Sequence, residues 1–428
     1  MIEQLYEAYL RSHAVTTDSR AITPGCLFFA FRGEHFDGNA FAPQALEQGA
    51  AFCVISDDAY RTDDRCIVVP DVLATLQALA RHHRRQLTVP VIGITGTNGK
   101  TTTKELVHAV LSRRYRTSAT RGNLNNHLGV PLTLLAIPPD AELAIVEMGA
   151  NHPGEIEFLC SIADPDCGLI TNVGRAHLEG FGSFEGVVHT KTELYRHLAA
   201  KQGLVLVNAD NERLMQESES LNRLTYGAAP AAHIHGSHVA DNPFMKFYFE
   251  VADNVYTVQT HLLGAYNFDN CMAAVAAGLH FGVDPFDIKQ AIEDYVPSNQ
   301  RSEWRQTGRN SLYLDCYNAN PSSMAAAVGS FRQMDAPHKM AIIGGMHELG
   351  TDERKEHERL VQLLDQCLLD QCLLVGPEFN GITLPHSMQA FPDTEAVRTW
   401  LRDHPVSGAT ILVKGSNTNH LWTLVEML

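Results

Sequence analysis

The residues Gly96-Thr97-Asn98-Gly99-Lys100-Thr101-Thr102 combine glycines, one lysine and adjacent hydroxyls at a spacing suited to holding polyphosphate. Glycines let backbone N–H groups converge on phosphate oxygens, and a helix N-terminus behind them adds partial positive charge. Lys100 then reaches the terminal phosphates, and the hydroxyl of Thr101 or Thr102 coordinates Mg²⁺. The common phosphate-loop pattern opens on one more glycine, and Ile94 stands in its place. Other candidates lie further along. Glu147 closes the apolar run LAIVEMG, where it either holds the Mg²⁺ of a nucleotide or faces solvent beside a loop. His177 follows CGLITNVG together with Arg175 and Glu179, as a structural or a catalytic histidine. Lys191 lies in GSFEGVVHTKTELYRHL. Asn267 and Asn270, in the first turn of the Ala-rich run Gly264 to Gly278, either cap a helix or hydrogen-bond a purine edge. Asp315, Gly344-Gly345 and Lys414-Gly415-Ser416 each follow an apolar run.

These side chains need elements to place them. Val89, Val91, Ile92 and Ile94 form the β-branched run of a buried parallel strand, and Leu106, Val107, Val110 and Leu111 fall on one face of a following helix. Strand, glycine loop, helix is the context that gives the phosphate-loop motif its meaning. Cys167 to Gly174 and Leu204 to Asp210 read as further strands of this unit, and Phe244 to Val258 as an antiparallel hairpin turning at Ala252-Asp253-Asn254. Upstream, Cys26 to Phe31, Ala50 to Ser56 and Cys66 to Val69 read as strands, and Asn39 to Gln48 as a helix. Asp71 to Arg85 is a second helix, with Asp71 a plausible N-cap. The polar loops here, Thr17-Asp18-Ser19-Arg20 and Arg32-Gly33 to Asp37-Gly38, bind a ligand or merely turn the chain. Beyond VPSNQRSEW the runs SLYLD, KMAIIGG, CLLVG and TILVKG alternate with helices, one of them at the end, as in a doubly wound unit. The reading is therefore α/β with three domains: a small N-terminal α/β domain over 1–86, a central P-loop ATPase-like domain with a mostly parallel sheet over 87–297, and a C-terminal Rossmann-like domain over 298–428.

Composition narrows the function. A chain of 428 residues exceeds one ordinary core, and a formal charge of −16 argues against binding nucleic acid, whose backbone demands a basic face. No apolar run spans a membrane, and the opening MIEQLYEAYLRSH lacks the basic start and apolar core of a secretory signal. Nine scattered cysteines without a CxxC pair read as reduced thiols of a cytoplasmic protein. Residue types and spacing reach a three-domain cytosolic ATP-binding protein and go no further.

Over essentially the whole chain the sequence resembles the Mur ligases of peptidoglycan synthesis. GTNGKTT is similar to that superfamily's shortened phosphate loop, shared with folylpolyglutamate synthases, which accounts for Ile94. The resemblance extends over TTDSRAITPGCLFFAFRGEHFDG, GNLNNHLGVPLTLL, EMGANHPGEI, AHLEGFGSFEGV, DCYNANPSSM and VKGS. It implies an ATP-dependent amide ligase that phosphorylates the terminal carboxylate of a UDP-N-acetylmuramoyl-tripeptide (UDP-MurNAc-tripeptide) and lets the amine of D-alanyl-D-alanine attack the acyl phosphate. It further implies that Lys100 holds the β/γ-phosphates, that Thr101 and Glu147 serve one Mg²⁺, and that His177 and Lys191 serve a second, Lys191 as a carbamate. Asn270 would bind adenine, Arg301 and Asp315 the phosphates and ribose, Ser19 and Arg32 the uridine diphosphate, and Asn125 and Asn126 further parts of the substrate. A monomer without membrane insertion is expected, its third domain swinging about Val296 to Trp304 and holding Arg301 and Asp315 away from Lys100 until ligands bind. Tyr266 stands where the family pattern has histidine, and Asn417 where an arginine commonly follows the serine. A folylpolyglutamate synthase would lack the unit before Val89; a non-catalytic relative would have lost Lys100, Glu147, His177 or Lys191.

Overall fold

The computed structural model describes residues 2–176, 178–241 and 243–428. Three β-sheets carry helices on their faces. The first has four parallel strands in chain order, Ala14–Thr16, Cys26–Phe29, Phe52–Ile55 and Cys66–Val68. The element expected from Asn39 begins as a 3₁₀ turn, Gly38–Phe41, and becomes α-helical only over Ala42–Glu47. Helix Val72–Gln86 starts where expected, the Asp71 carboxylate accepting the Ala74 N–H at 2.9 Å. Its apolar face does not stay within the first unit. Leu76, Leu79 and Ala80 share one buried core with Leu27 and Val54 of the first sheet and with Val91 and Val146 of the middle sheet. The buried Arg84 adds Nε donating to the Ala163 carbonyl at 2.9 Å and Nη2 pairing with Asp166 at 2.8 Å.

The middle sheet has nine strands. In spatial order they are Thr117–Ala119, Leu143–Glu147, Val91–Thr95, Cys167–Ile170, Leu204–Asn208, Arg223–Gly227, Ile234–Asp241, Phe244–Val251 and Asn254–Leu263. All neighbours pair in parallel up to Ile234–Asp241, and the last two strands turn back antiparallel. Val91–Thr95 is buried throughout, which is why its residues show no alternation. Later strands fall on both sides of it, so its carboxyl end opens at a switch point, where sheets of this kind take ligands. The hairpin turns near Asn254 as expected, with an extra partner in the polar strand Ile234–Asp241. Helix Lys100–Leu111 packs on helix Asn267–His280, brought close by Gly278, where a Cβ would lie 2.6 Å from Val110 Cγ1.

The third sheet runs Glu303–Gln306, Ser311–Asp315, Thr410–Lys414, Lys339–Gly344, Gln371–Val375, Met388–Phe391, parallel except for the first pair. The last element is a run of 3₁₀ turns, Leu421–Met427, in place of the expected helix.

Candidate active site

The phosphate loop joins Val91–Thr95 to helix Lys100–Leu111, and its glycines are sterically required. Gly96 has φ +144° and Gly99 φ +78°; a Cβ would come within 2.0 Å of Thr171 Oγ1 at the first and 2.5 Å of Asn270 Oδ1 at the second. The next strand's end braces the loop. The Thr97 N–H donates to the Asn172 carbonyl at 3.0 Å, the Asn98 N–H to Asn172 Oδ1 at 3.0 Å, and Thr171 Oγ1 to the Asn98 carbonyl at 2.6 Å. Thr171 and Asn172 escape sequence reading; their one signal is a polar pair directly after the apolar CGLI.

Lys100 Nζ donates to the carbonyls of Gly96 and Thr97 at 2.8 and 3.0 Å. Burial pushes its pKa down, the charge of Glu147 works against that, and Arg301 adds to it. Glu147 is 1% exposed at the end of its strand, so the solvent-facing alternative is excluded. Its Oε1 accepts from Thr101 Oγ1 at 3.2 Å and from Asn125 Nδ2 at 2.8 Å, while its Oε2 is buried without any partner. A buried carboxylate oxygen without a partner beside a threonine hydroxyl has the chemistry of a hard-cation donor set. Among the described residues no group of three or more His, Cys, Asp or Glu could hold a metal ion without other ligands.

Lys191 ends helix Phe184–Lys191, 2% exposed, with Nζ donating to the Ala150 carbonyl at 3.2 Å and lying 5.3 Å from the centre of the Phe181 ring. Burial drives its pKa well down, and Lys100 adds repulsion. Glu193 braces this corner. Its carboxylate accepts the N–H of Gly154 and of Glu157, both at 2.8 Å, at the start of helix Glu155–Ala163. His177 lies outside the described residues.

Asn270 does not cap its helix, and neither does Asn267: the cap position is Tyr266, whose side chain makes no capping bond. The Asn270 amide lies against Gly99, which leaves room for it, and Asn267 Nδ2 donates to the Leu263 carbonyl at 2.8 Å and to Ser302 Oγ at 3.3 Å. Asn270 Oδ1 accepts from Thr103 Oγ1 at 3.0 Å and its Nδ2 donates to Asn267 Oδ1 at 2.8 Å. Asp315 closes its strand and accepts from Lys414 Nζ at 2.6 Å. The Arg301 guanidinium lies 3.8 Å from the centre of the Tyr317 ring.

One cavity of about 540 Å³ collects most of these groups, among them Lys100, Glu147, Asn270, Arg301, Asp315 and Lys414. Thr97, Asn98, Gly99, Thr101, Thr102, Asn125 and Asn126 also line it. Ser19 and Arg32 do not; they sit on loops of the first sheet, where Arg32 pairs with Asp37 at 2.7 Å. The expected separation of Arg301 and Asp315 from Lys100 is absent. Polar contacts from the phosphate loop hold the third sheet in place: Asn98 Nδ2 donates to Ser322 Oγ at 2.8 Å, and Asn320 Nδ2 donates to Asn98 Oδ1 at 2.8 Å.

A phosphate loop at a switch point, completed by cations and a carboxylate from a second α/β sheet, defines a nucleotide-dependent enzyme of the Mur ligase type. The chain belongs to the Mur ligase family: it matches the Mur ligase family catalytic domain over residues 11–84, the Mur ligase middle domain over 94–278 and the Mur ligase glutamate ligase domain over 300–417. It is 36% identical over 370 residues to the UDP-N-acetylmuramoyl-tripeptide–D-alanyl-D-alanine ligase of Bacillus subtilis, covering 85% of this chain and 80% of that one. Its fold is similar to a crystal structure of MurF from Acinetobacter baumannii, with TM-score 0.87 and 31% identity over 99% of this chain and 97% of that one. It is likewise similar to the MurF ligase of Thermotoga maritima in complex with ADP, with TM-score 0.85 and 28% identity over 98% and 97%.

Proposed function

We propose that this chain joins D-alanyl-D-alanine to the terminal carboxylate of a UDP-MurNAc-tripeptide in peptidoglycan synthesis, converting ATP to ADP and phosphate. What carries the reading is the convergence of Lys100 and Glu147 from the middle sheet with Arg301 and Asp315 from the third on one cavity. A carboxylate must be activated before an amine displaces its oxygen. The γ-phosphoryl group moves to a carboxylate oxygen, the dipeptide amine attacks the acyl carbon and loses a proton, and the tetrahedral adduct expels phosphate. Such a reaction asks the protein mainly for positioning and charge neutralisation.

On this reading Lys100 exchanges its two carbonyl acceptors for β/γ-phosphate oxygens, a change from neutral to anionic partners that favours its ammonium form. Glu147 Oε2 and Thr101 Oγ1 are hard oxygen donors suited to one Mg²⁺. That ion, when bound, neutralises charge on the phosphoryl oxygens. His177 and Lys191 serve a second ion, Lys191 as a carbamate. Burial shifts the Lys191 amine toward the neutral form that adds CO₂ with loss of a proton, and the resulting carbamate is an oxygen donor where an ammonium is none. Asn270 keeps one N–H and one lone pair beyond its internal bonds, matching an adenine edge. Arg301 and Asp315 take the phosphates and ribose. Asn125 and Asn126 contact the tripeptide substrate, and Ser19 and Arg32 in domain 1–86 hold its uridine diphosphate. Domain 87–297 supplies ATP binding, and domain 298–428 closes over it. The enzyme acts in the cytoplasm, where its nine free, buried cysteines stay reduced, and works as a monomer because one chain completes the cavity.

Phosphate release tests the reading, assayed with ATP and UDP-MurNAc-tripeptides bearing lysine or diaminopimelate at the third position, with and without D-alanyl-D-alanine. Release that requires the dipeptide supports it. Release driven by a folate and glutamate, with none from either tripeptide, refutes it.

A further inference from the structure

Arg301 sits between two residues in an uncommon backbone conformation. Gln300 has φ +59° and Ser302 φ +51°, left-handed values that side chains with a Cβ rarely adopt. Such a conformation persists only where the surroundings over-determine it. Gln300 is held from the third sheet: its N–H donates to Glu303 Oε2 at 3.0 Å and its carbonyl accepts the Cys316 N–H at 3.1 Å. Ser302 is held from the other side of the cavity. Its Oγ lies 2.7 Å from the Tyr266 hydroxyl and accepts from Asn267 Nδ2 at 3.3 Å, and both residues belong to the start of the helix that faces the phosphate loop. The Tyr266 hydroxyl also meets that of Tyr313, on the third sheet, at 2.5 Å. Tyr313 and Ser302 are buried, and burial keeps the phenol protons of Tyr266 and Tyr313 on their oxygens. Each hydroxyl therefore needs partners: the Tyr266 hydroxyl has those of Ser302 and Tyr313, and Ser302 Oγ has Tyr266 and the Asn267 amide. The ring reaches this place because residue 264 is glycine, where a Cβ would lie 2.5 Å from Tyr266 Cε1.

We infer that Tyr266 is a positioning residue: its hydroxyl pins Ser302 and thereby sets Arg301 over the nucleotide cavity. The inference rests on the reading of Arg301 as a phosphate contact. Without the phenol oxygen, Ser302 loses the contact that offsets its strained backbone, the linker relaxes, and Arg301 leaves its place. The effect belongs to the ATP side of the reaction, since the uridine nucleotide is held by the first sheet.

The test is a double-mutant cycle in the full-length enzyme, with Y266F, R301A and Y266F/R301A assayed by ATP-dependent phosphate release. Y266F should lower kcat/KM for ATP about tenfold, as expected for leaving buried hydroxyls unpartnered, and leave the Kd of the uridine nucleotide unchanged. In the R301A background the same substitution should change kcat/KM less than about twofold, because its effect has no arginine to act through. Multiplying effects, or wild-type kcat/KM in Y266F, overturn the inference. Full activity of R301A alone refutes the phosphate role of Arg301 and takes this inference with it. If Y266F fails to fold, S302A removes the same contact from the linker side and is read through the same cycle.

Discussion

Replacing Glu147 by glutamine should make the empty enzyme slightly more stable and the loaded enzyme far less active. In the variant the amide oxygen can keep the bonds from Thr101 and Asn125, while the NH₂ takes the place of Oε2, which has no partner. An unpartnered neutral N–H in the interior costs less than an unpartnered carboxylate oxygen. The lost attraction between Glu147 and Lys100 opposes this gain. The net change is about +1 kcal/mol, or roughly 1–2 °C in the unfolding of a body of about 300 residues. Mg·ATP reverses the order. A ligand at a hundredfold its Kd stabilises by about 2.7 kcal/mol, and removing one hard oxygen from the ion should cut the ligand-induced shift by at least about half. Turnover should fall on the order of 10²–10³-fold, the usual loss of one charge-stabilising group. Thermal melts with and without Mg·ATP, alongside phosphate release, read all three. If the variant melts below wild type without ligand, yet keeps the full Mg·ATP shift and normal turnover, Glu147 is a structural carboxylate.

Other outcomes follow from the same geometry. Lys100→Ala should lose on the order of 10³ or more in turnover with folding unaffected, and near-normal ligation by this variant removes the loop from the mechanism. Lys191→Ala should be nearly inactive and partly rescued by short carboxylic acids, which do not rescue Lys100→Ala. Mass spectrometry finding an unmodified amine in fully active enzyme would contradict the carbamate. Burial and the neighbouring Asp210 lift Asp269 to about 6 from 3.8, so its contribution to stability falls as pH rises through that interval and the cost is complete above it. Asp269→Asn should therefore melt higher than wild type at pH 7.5, by about 1–2 kcal/mol after allowance for water contact, and equal it near the bottom of that interval. A gain that is independent of pH rejects this assignment.

How far the sequence can be read depends on where each interaction lies along the chain. The phosphate loop is local: a β-branched run, glycines at positive φ and a helix follow within a few residues, and the structure has them where the residues say. Asp71 is legible for the same reason, its bond to Ala74 spanning a single turn. Ile234–Asp241 is not, because its polar residues lack alternation and its pairing is decided by neighbours already in the sheet. Asn267 and Asn270 look like helix caps in isolation; in the fold Asn270 lies in the room left by Gly99, and Asn267 donates to Ser302, far away in sequence. The empty oxygen of Glu147 is a statement about three-dimensional surroundings that no spacing records. Nor does the sequence reveal that the third sheet rests on the phosphate loop, since Asn98 meets Asn320 and Ser322 across more than half the chain.

The shared core of the first two sheets has a consequence for how the molecule comes apart. Leu76, Leu79 and Ala80 belong to one buried cluster that also takes in residues of strands before and after them, and Arg84 spends its guanidinium on the middle unit. A protease cut near Gln86 would leave two apolar faces that still need one another, so the nicked halves should stay associated. The stretch from Val296 to Gln300 is different: Val296 and Ser298 are exposed, Pro297 alone is buried, and the unit that follows has apolar clusters largely its own. A nick there should release a stable piece. Under mild digestion the chain thus behaves as two cooperative bodies, although its strands form three sheets.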